Sequence, residues 1–190
     1  MIVRMLNSRR DARAAAAMVA VALISLTGTP EAAAQSIGLG AATVNDLNRA
    51  FDAGTLTSER LIQMYLDRIE AYDEAGPELN AIIALNPNAL EMARALDAER
   101  RRTGPRSPLH GIPVVMKDNI DTFDMPTTGG SLLLAGSIPP DDAFVIKRLR
   151  DAGAIIFAKV NLSEFAGGAA ISSVGGASKN PHDLARSAAG

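Results

Sequence analysis

The chain contains no cysteine, which excludes disulfides, a thiolate nucleophile and every zinc site built on thiolates. Tryptophan is absent, and aromatic residues make up only 4% of the 190 residues. Only two histidines occur, His110 and His182. They stand far apart and lack the short spacing that a metal site uses, so no metal is expected. Charge of either sign is not in excess. The formal net charge is -2, which gives no electrostatic reason to expect nucleic acid or an anionic membrane as a partner. No G-x-x-x-x-G-K-[ST] phosphate cradle and no G-x-S-x-G elbow occurs.

What is present is an ordinary globular composition, 47% hydrophobic and 21% charged, with room for one domain. Residues 1–34 read as a secretory signal peptide. Arg4, Arg9, Arg10 and Arg13 form a basic start, Ala14 to Leu26 an apolar stretch, and Ala32-Ala33-Ala34 a small-residue cleavage site before Gln35. As a helix the apolar stretch would reach roughly 20 Å, short of the ~30 Å hydrocarbon core, so no stable membrane anchor is expected. The expected location is periplasmic or extracellular. Ser8-Arg9-Arg10 also hints at twin-arginine export, although the apolar pair that usually follows such arginines is absent. Residues 35–190 are expected to form part of one domain.

Helix and strand signals then alternate. Thr43 and Asp46 have the spacing of a capping box, with Val44, Leu47 and Phe51 on one face and Gly54 as the stop. Thr57 caps a second helix carrying Leu61, Ile62, Tyr65, Ile69 and Tyr72, ended by Gly76-Pro77. Leu79 to Leu85 reads as a strand. Asn86-Pro87 reads as a cap with proline at the first helical position, opening a helix to Arg102. Leu90, Ala93 and Leu96 face inward on that helix, and Arg100-Arg101-Arg102 form a solvated last turn.

Ile112 to Met116 is apolar without alternation, as a strand buried on both faces would be. Thr127 to Ser131 is a polar loop. Asp141 or Asp142 is expected to cap a helix through Asp151, with Val145, Ile146 and Leu149 buried and Gly153 after its end. Ile155 to Ala158 is a second buried strand. Strand, helix and strand with these connections imply a parallel crossover. Asn161 is expected to cap a short helix through Phe165. From Gly167 onward the chain is rich in Gly, Ser and Ala and reads as loop.

Lys117 follows the first buried strand directly. It reads either as a solvated lysine at a strand end or as a desolvated base. An unperturbed lysine, with a pKa near 10.4, is neutral about once in a few thousand molecules at pH 7. Burial can lower that pKa by up to about 3–5 units, which would make the neutral amine common.

The segment Leu109-His110-Gly111-Ile112-Pro113-Val114-Val115-Met116-Lys117-Asp118-Asn119 resembles the lysine segment of the amidase signature family. The resemblance continues in order through Pro126-Thr127-Thr128-Gly129-Gly130-Ser131, Asp142-Ala143-Phe144-Val145 and Leu149-Arg150-Asp151-Ala152-Gly153-Ala154. Lys159-Val160-Asn161-Leu162-Ser163-Glu164-Phe165 and Asn180-Pro181-His182 complete it, from about Thr43 to Gly190.

This resemblance implies an α/β fold, the N-terminal part of a mixed-sheet α/β/α sandwich. It implies cleavage of carboxamide C–N bonds, without a cofactor, by a Ser–cis-Ser–Lys arrangement. Lys117 matches the base, and Ala166, Gly167 and Gly168 would line the substrate pocket. The substrate would be a small-molecule or peptide amide.

In the family the relay serine follows the Asn-Pro block and a basic residue. Here Asn180-Pro181-His182 and Arg186-Ser187-Ala188-Ala189-Gly190 lead up to that segment, so both catalytic serines fall outside these residues. Ser172-Ser173-Val174-Gly175-Gly176 precedes the Asn-Pro block and is not that segment. Two readings follow. The chain is the N-terminal piece of an exported amidase, inactive by itself, or it is a non-catalytic, binding-only remnant. The leader argues against a tRNA-dependent amidotransferase component, whose partners are cytoplasmic.

Overall fold

The computed structural model describes residues 38–168 and 171–188. The expected signal peptide lies outside the described residues.

Helix α1 (Val44–Asp52) starts on the expected capping box. Thr43 accepts from the Asp46 amide, and the Asp46 carboxylate accepts from the Thr43 amide. Leu47 and Phe51 are buried, while Val44 lies on the exposed edge. Helix α2 (Ser58–Ile69) is capped by Thr57 and continues as a π turn, Glu70–Glu74, before Gly76. Its first amides are also held by a distant group. The buried Asp97 carboxylate accepts from Ser58 N at 2.8 Å and from Glu59 N at 3.0 Å.

Strand β1 (Ile82–Leu85) leads to helix α3 (Ala89–Thr103). The expected Asn86 cap is not made, because α3 begins at Ala89 with Asn88 before it. The Asn86 side chain is committed elsewhere: it donates to Ile156 O at 2.8 Å and Asp124 Oδ2 at 2.9 Å, and accepts from Asn88 N. Nor is the last turn of α3 wholly solvated. Arg101 and Arg102 are exposed, but Arg100 folds back over the Phe51 ring and donates to His110 O at 2.9 Å.

Strand β2 (Pro113–Lys117), helix α4 (Phe144–Asp151) and strand β3 (Ile155–Val160) form the expected crossover, with β2 and β3 parallel. Helix α4 starts after Ala143 without a side-chain cap. The Asp142 carboxylate instead accepts from Phe123 N and Arg150 Nε, and so closes the 121–126 loop onto the helix. Ile146 is buried, whereas Val145 is exposed, contrary to its expected place in the core.

The sheet order is β1-β3-β2, with β1 antiparallel to β3. The central strand β3 is buried along almost its whole length. Its side chains serve two cores. Ile155 and Phe157 pack against Ile62, Ala93 and Leu96 of α2 and α3. Ile156 packs against Ile146, Met116 and Met125 on the opposite face. Helices therefore cover both faces of a mixed sheet, the expected α/β/α arrangement. Each fully buried isoleucine contributes about 1.5–3 kcal/mol relative to an exposed one.

Among the described residues β2 lies at one end of the strand order, and these residues do not bury both of its faces as expected. Ile112 and Met116 are buried, but Val115 is 48% exposed. An apolar run cannot reveal which strand of a sheet is central and which lies at the edge.

Two glycines lock the entry to β2. Gly153 adopts a φ of +89°, and a Cβ there would lie 2.8 Å from His110 Nδ1. Gly111 adopts +78°, donates to Gly153 O at 2.8 Å, and would press a Cβ onto Ser58 Oγ. His110 between them is fully buried, with Nε2 2.9 Å from Leu96 O and Nδ1 accepting from Arg106 N.

The Gly/Ser-rich end is more ordered in its pairing than a loop. β4 (Ile171–Ser172) pairs with β5 (Gly176–Ala177), and β6 (Lys179–Asn180) with β7 (Asp183–Ser187). Asn161 caps no helix through Phe165. A short 3-10 turn, Glu164–Ala166, follows instead, while Asn161 Oδ1 accepts from Leu162 N and Ser172 Oγ.

Candidate active site

Lys117 is the last residue of β2 and pairs with Val160 at the end of β3. The C-terminal ends of two parallel strands and the turns beyond them thus meet on one side of the sheet. Lys117 is exposed, so the desolvation expected of a base is not supplied by the described residues. Among those residues, no hydrogen-bond or ion-pair partner engages its side chain.

The next residue behaves in the opposite way. Asp118 is fully buried, and its main chain and carboxylate both act as ties. Its amide donates to Val160 O at 3.1 Å, and its carbonyl accepts from Gly129 N at 3.1 Å. Gly129 O in turn accepts from Phe165 N at 2.8 Å. A relay of main-chain bonds therefore joins the Lys117 end of β2, the Thr127–Ser131 loop and the segment that carries Ala166, Gly167 and Gly168.

That segment is exposed and conformationally unusual. Phe165 and Ala166 are consecutive non-glycine residues with φ of 50° and 59°. Left-handed conformation at such residues stores strain that only surrounding contacts sustain, and it concentrates at functional sites. The Phe165 amide is held by Gly129, Ala166 N donates to Ser163 O at 2.7 Å, and Gly167 N to Glu164 O at 3.1 Å. The structure thus ties the expected base and the expected substrate segment to one loop.

The residues that sequence reasoning left without a role lie beneath that loop. Lys159, on β3 opposite Met116, is fully buried. Its ammonium donates to Thr127 Oγ1 at 2.7 Å and Pro126 O at 3.1 Å, and lies 3.5 Å from Asp118 Oδ1. Burial pushes the Lys159 pKa below the ordinary lysine value, and the Asp118 carboxylate opposes that shift. Asp118 Oδ2 accepts from Thr128 N at 3.2 Å, Gly130 N at 3.3 Å and the Thr128 hydroxyl. The available signal was a lysine inside a strand whose other residues are apolar, since lysine is almost never fully buried without a partner.

Ser172 and Ser173 serve as framework. Ser172 is buried, donates to Asn161 Oδ1 and accepts from Gly175 N. Ser173 Oγ donates to Gly130 O and accepts from Leu132 N. Glu164 braces the same turn, its carboxyl held below the usual range by hydrogen bonds from Ser131 and Ser173. A separate cavity of about 370 Å³ lies between Tyr65 and Tyr72 and the Pro113–Val115 part of β2. Neither Lys117 nor 166–168 lines it.

Residues 60–190 match the family described as Amidase. This chain belongs to the amidase signature family. It is 47% identical over 133 residues to a putative amidase of Schizosaccharomyces pombe, a match that covers 70% of this chain and 22% of the relative. It is 45% identical over 128 residues to a probable amidase of Arabidopsis thaliana, covering 66% and 24%. Glutamyl-tRNA(Gln) amidotransferases are also similar: the matching polypeptide of Azoarcus sp. is 44% identical over 147 residues, covering 76% and 29%. The solved peptide amidase of Stenotrophomonas maltophilia superposes with a TM-score of 0.74 at 45% identity, over 77% of this chain and 31% of that one. The chain thus spans under a third of the length of each of these amidase-family relatives, and its described residues form a mixed α/β unit.

Proposed function

We propose that the protein containing this chain hydrolyses a carboxamide to a carboxylate and ammonia or an amine, with Lys117 as the base of a Ser–cis-Ser–Lys arrangement. The observation that carries this reading is the tie between Lys117 and 165–168 through Asp118 and Gly129, in a chain that matches the amidase family across the same residues. In this mechanism a neutral lysine accepts a proton relayed from the attacking serine, taking the place histidine has in the commoner triad. Ala166, Gly167 and Gly168 present a main-chain surface to the substrate, free of bulky side chains, as close backbone approach requires. Covering of Lys117 by substrate and by the rest of the domain belongs to this proposal.

We further propose that the substrate is a small-molecule or peptide amide met outside the cytoplasm. The basic and apolar composition of residues 1–34 supports export, and the likeness to a peptide amidase supports the substrate class. Expression in a bacterium, followed by N-terminal sequencing, should find a mature product starting near Gln35. An intact Met1 on a soluble cytoplasmic product would contradict export.

The catalytic reading is tested in the protein expressed from its complete reading frame, with C-terminally amidated peptides and simple carboxamides. Lys117→Ala should lose about 10²–10⁴-fold in turnover while the far-UV circular dichroism is unchanged. Unchanged turnover would remove Lys117 from the mechanism.

A further inference from the structure

Asp118 and Lys159 form a buried ion pair that the proposed chemistry does not use. Removing two charges from water is costly, and apolar residues of similar volume often serve stability as well or better. A buried pair at this place therefore calls for a reason other than packing.

The reason lies in what the pair holds. Asp118 immediately follows Lys117, so its anchoring fixes the direction in which the Lys117 side chain leaves the strand. Its Oδ2 gathers the Thr128 amide and hydroxyl and the Gly130 amide. Lys159 adds Thr127 Oγ1 and Pro126 O from the same loop. The middle residue of that loop, Gly129, carries the Phe165 amide and hence the left-handed pair before Gly167.

We propose that Asp118, with Lys159 as its buried counter-ion, is a positioning residue for amide cleavage: it sets Lys117 and the 165–168 substrate segment in one register. This inference rests on the reading of Lys117 as the base. Asp118 touches neither substrate nor the transferred proton. It acts through the 127–130 loop. A misplacement of about 1 Å between base and substrate can cost about 10²-fold in rate.

The test uses the protein from its complete reading frame, with kcat and KM measured per folded molecule well below the unfolding temperature. Asp118→Asn, nearly isosteric, should lower kcat roughly 10- to 100-fold and shift KM by less than about threefold. Thr128→Val removes one hydroxyl contact to Asp118 and is the milder variant, should Asp118→Asn fail to fold. It should lower kcat in the same manner but less, and Thr128→Ser, which keeps the hydroxyl, should restore it. A role in stability alone predicts lower unfolding temperatures with kcat per folded molecule unchanged in all three, and that result would overturn the proposal. Lys117→Ala is run alongside. If it keeps full turnover, the functional reading fails, and the positioning role falls with it. If it abolishes turnover while Asp118→Asn and Thr128→Val retain theirs, only the positioning role is wrong.

Discussion

Replacing Lys159 by methionine isolates the energetics beneath the candidate site. Both side chains of the Lys159–Asp118 pair are 0% exposed and their charged atoms lie 3.5 Å apart. Methionine keeps most of the volume and removes the ammonium. It deletes the bonds to Thr127 Oγ1 and Pro126 O, and it leaves Asp118 Oδ1, which has no hydrogen-bond donor of its own, as an uncompensated buried anion. Breaking a buried pair from one side costs about 3–5 kcal/mol. Neutralising both partners, as Lys159→Met with Asp118→Asn, should recover about 2–3 kcal/mol of that loss, a coupling typical of residues in direct contact.

Urea unfolding of the wild type, both single variants and the double variant at neutral pH measures this cycle. A Lys159→Met cost below about 1 kcal/mol, or strict additivity, would refute the reasoning. The pH dependence adds a sign. Burial holds the folded-state pKa of Lys159 below its ordinary 10.5, so just below that pH the unfolded chain binds more protons than the folded one. The contribution of this residue to stability therefore rises as pH climbs from the lowered folded value toward 10.5. Lys159→Met should remove that rise, and an identical alkaline profile in the variant would contradict it.

Gly153→Ala should destabilise by about 2–4 kcal/mol. It combines a left-handed φ with a Cβ 2.8 Å from buried His110, whereas Gly54→Ala, equally left-handed but in open space, should cost only about 1–2 kcal/mol. Thermal unfolding of the two variants separates strain from collision. Asn86→Ala should cost about 2–3 kcal/mol, because it strands the Ile156 carbonyl and takes the side-chain amide from Asp124 Oδ2, whose other oxygen keeps Arg150. A loss near 0.5 kcal/mol, as expected of an ordinary helix cap in a favourable site, would show that Asn86 is a local cap after all.

Much of the fold could be read locally. The Thr43–Asp46 capping box, the Thr57 cap, the apolar strand Ile155 to Ala158 and the glycine after α4 depend on neighbours within a few residues, and the structure keeps them all. The misread residues are those whose partners are remote in sequence. Asn86 and Asp142 have cap-like side chains, but Asn86 is claimed by Ile156 and Asp124, and Asp142 by Phe123 and Arg150. Arg100 was expected in solvent and instead stacks on Phe51. Among the described residues, the exposure of Val115 and Lys117 goes with the place of β2 at one end of the strand order, which the residues of the strand itself do not encode. Lys117, Ala166, Gly167 and Gly168 came from resemblance to a family. The physical link between them, through Asp118, Gly129 and Phe165, could be seen only once β2, β3 and the 127–131 loop were placed together.

The central claim is that Lys117 acts as a base, and the arginine variant tests it most directly. Arginine keeps the positive charge and most of the length, but its guanidinium stays protonated and cannot accept a proton. In the protein from its complete reading frame, the pH dependence of kcat for amide hydrolysis should be measured for wild type and Lys117→Arg. The account predicts that Lys117→Arg loses turnover nearly as completely as Lys117→Ala, by about 10²-fold or more at every pH from about 6 to 9, with the fold intact. Near-normal turnover of Lys117→Arg at neutral pH would show that the position needs only charge, and the lysine-base mechanism would be wrong for this protein.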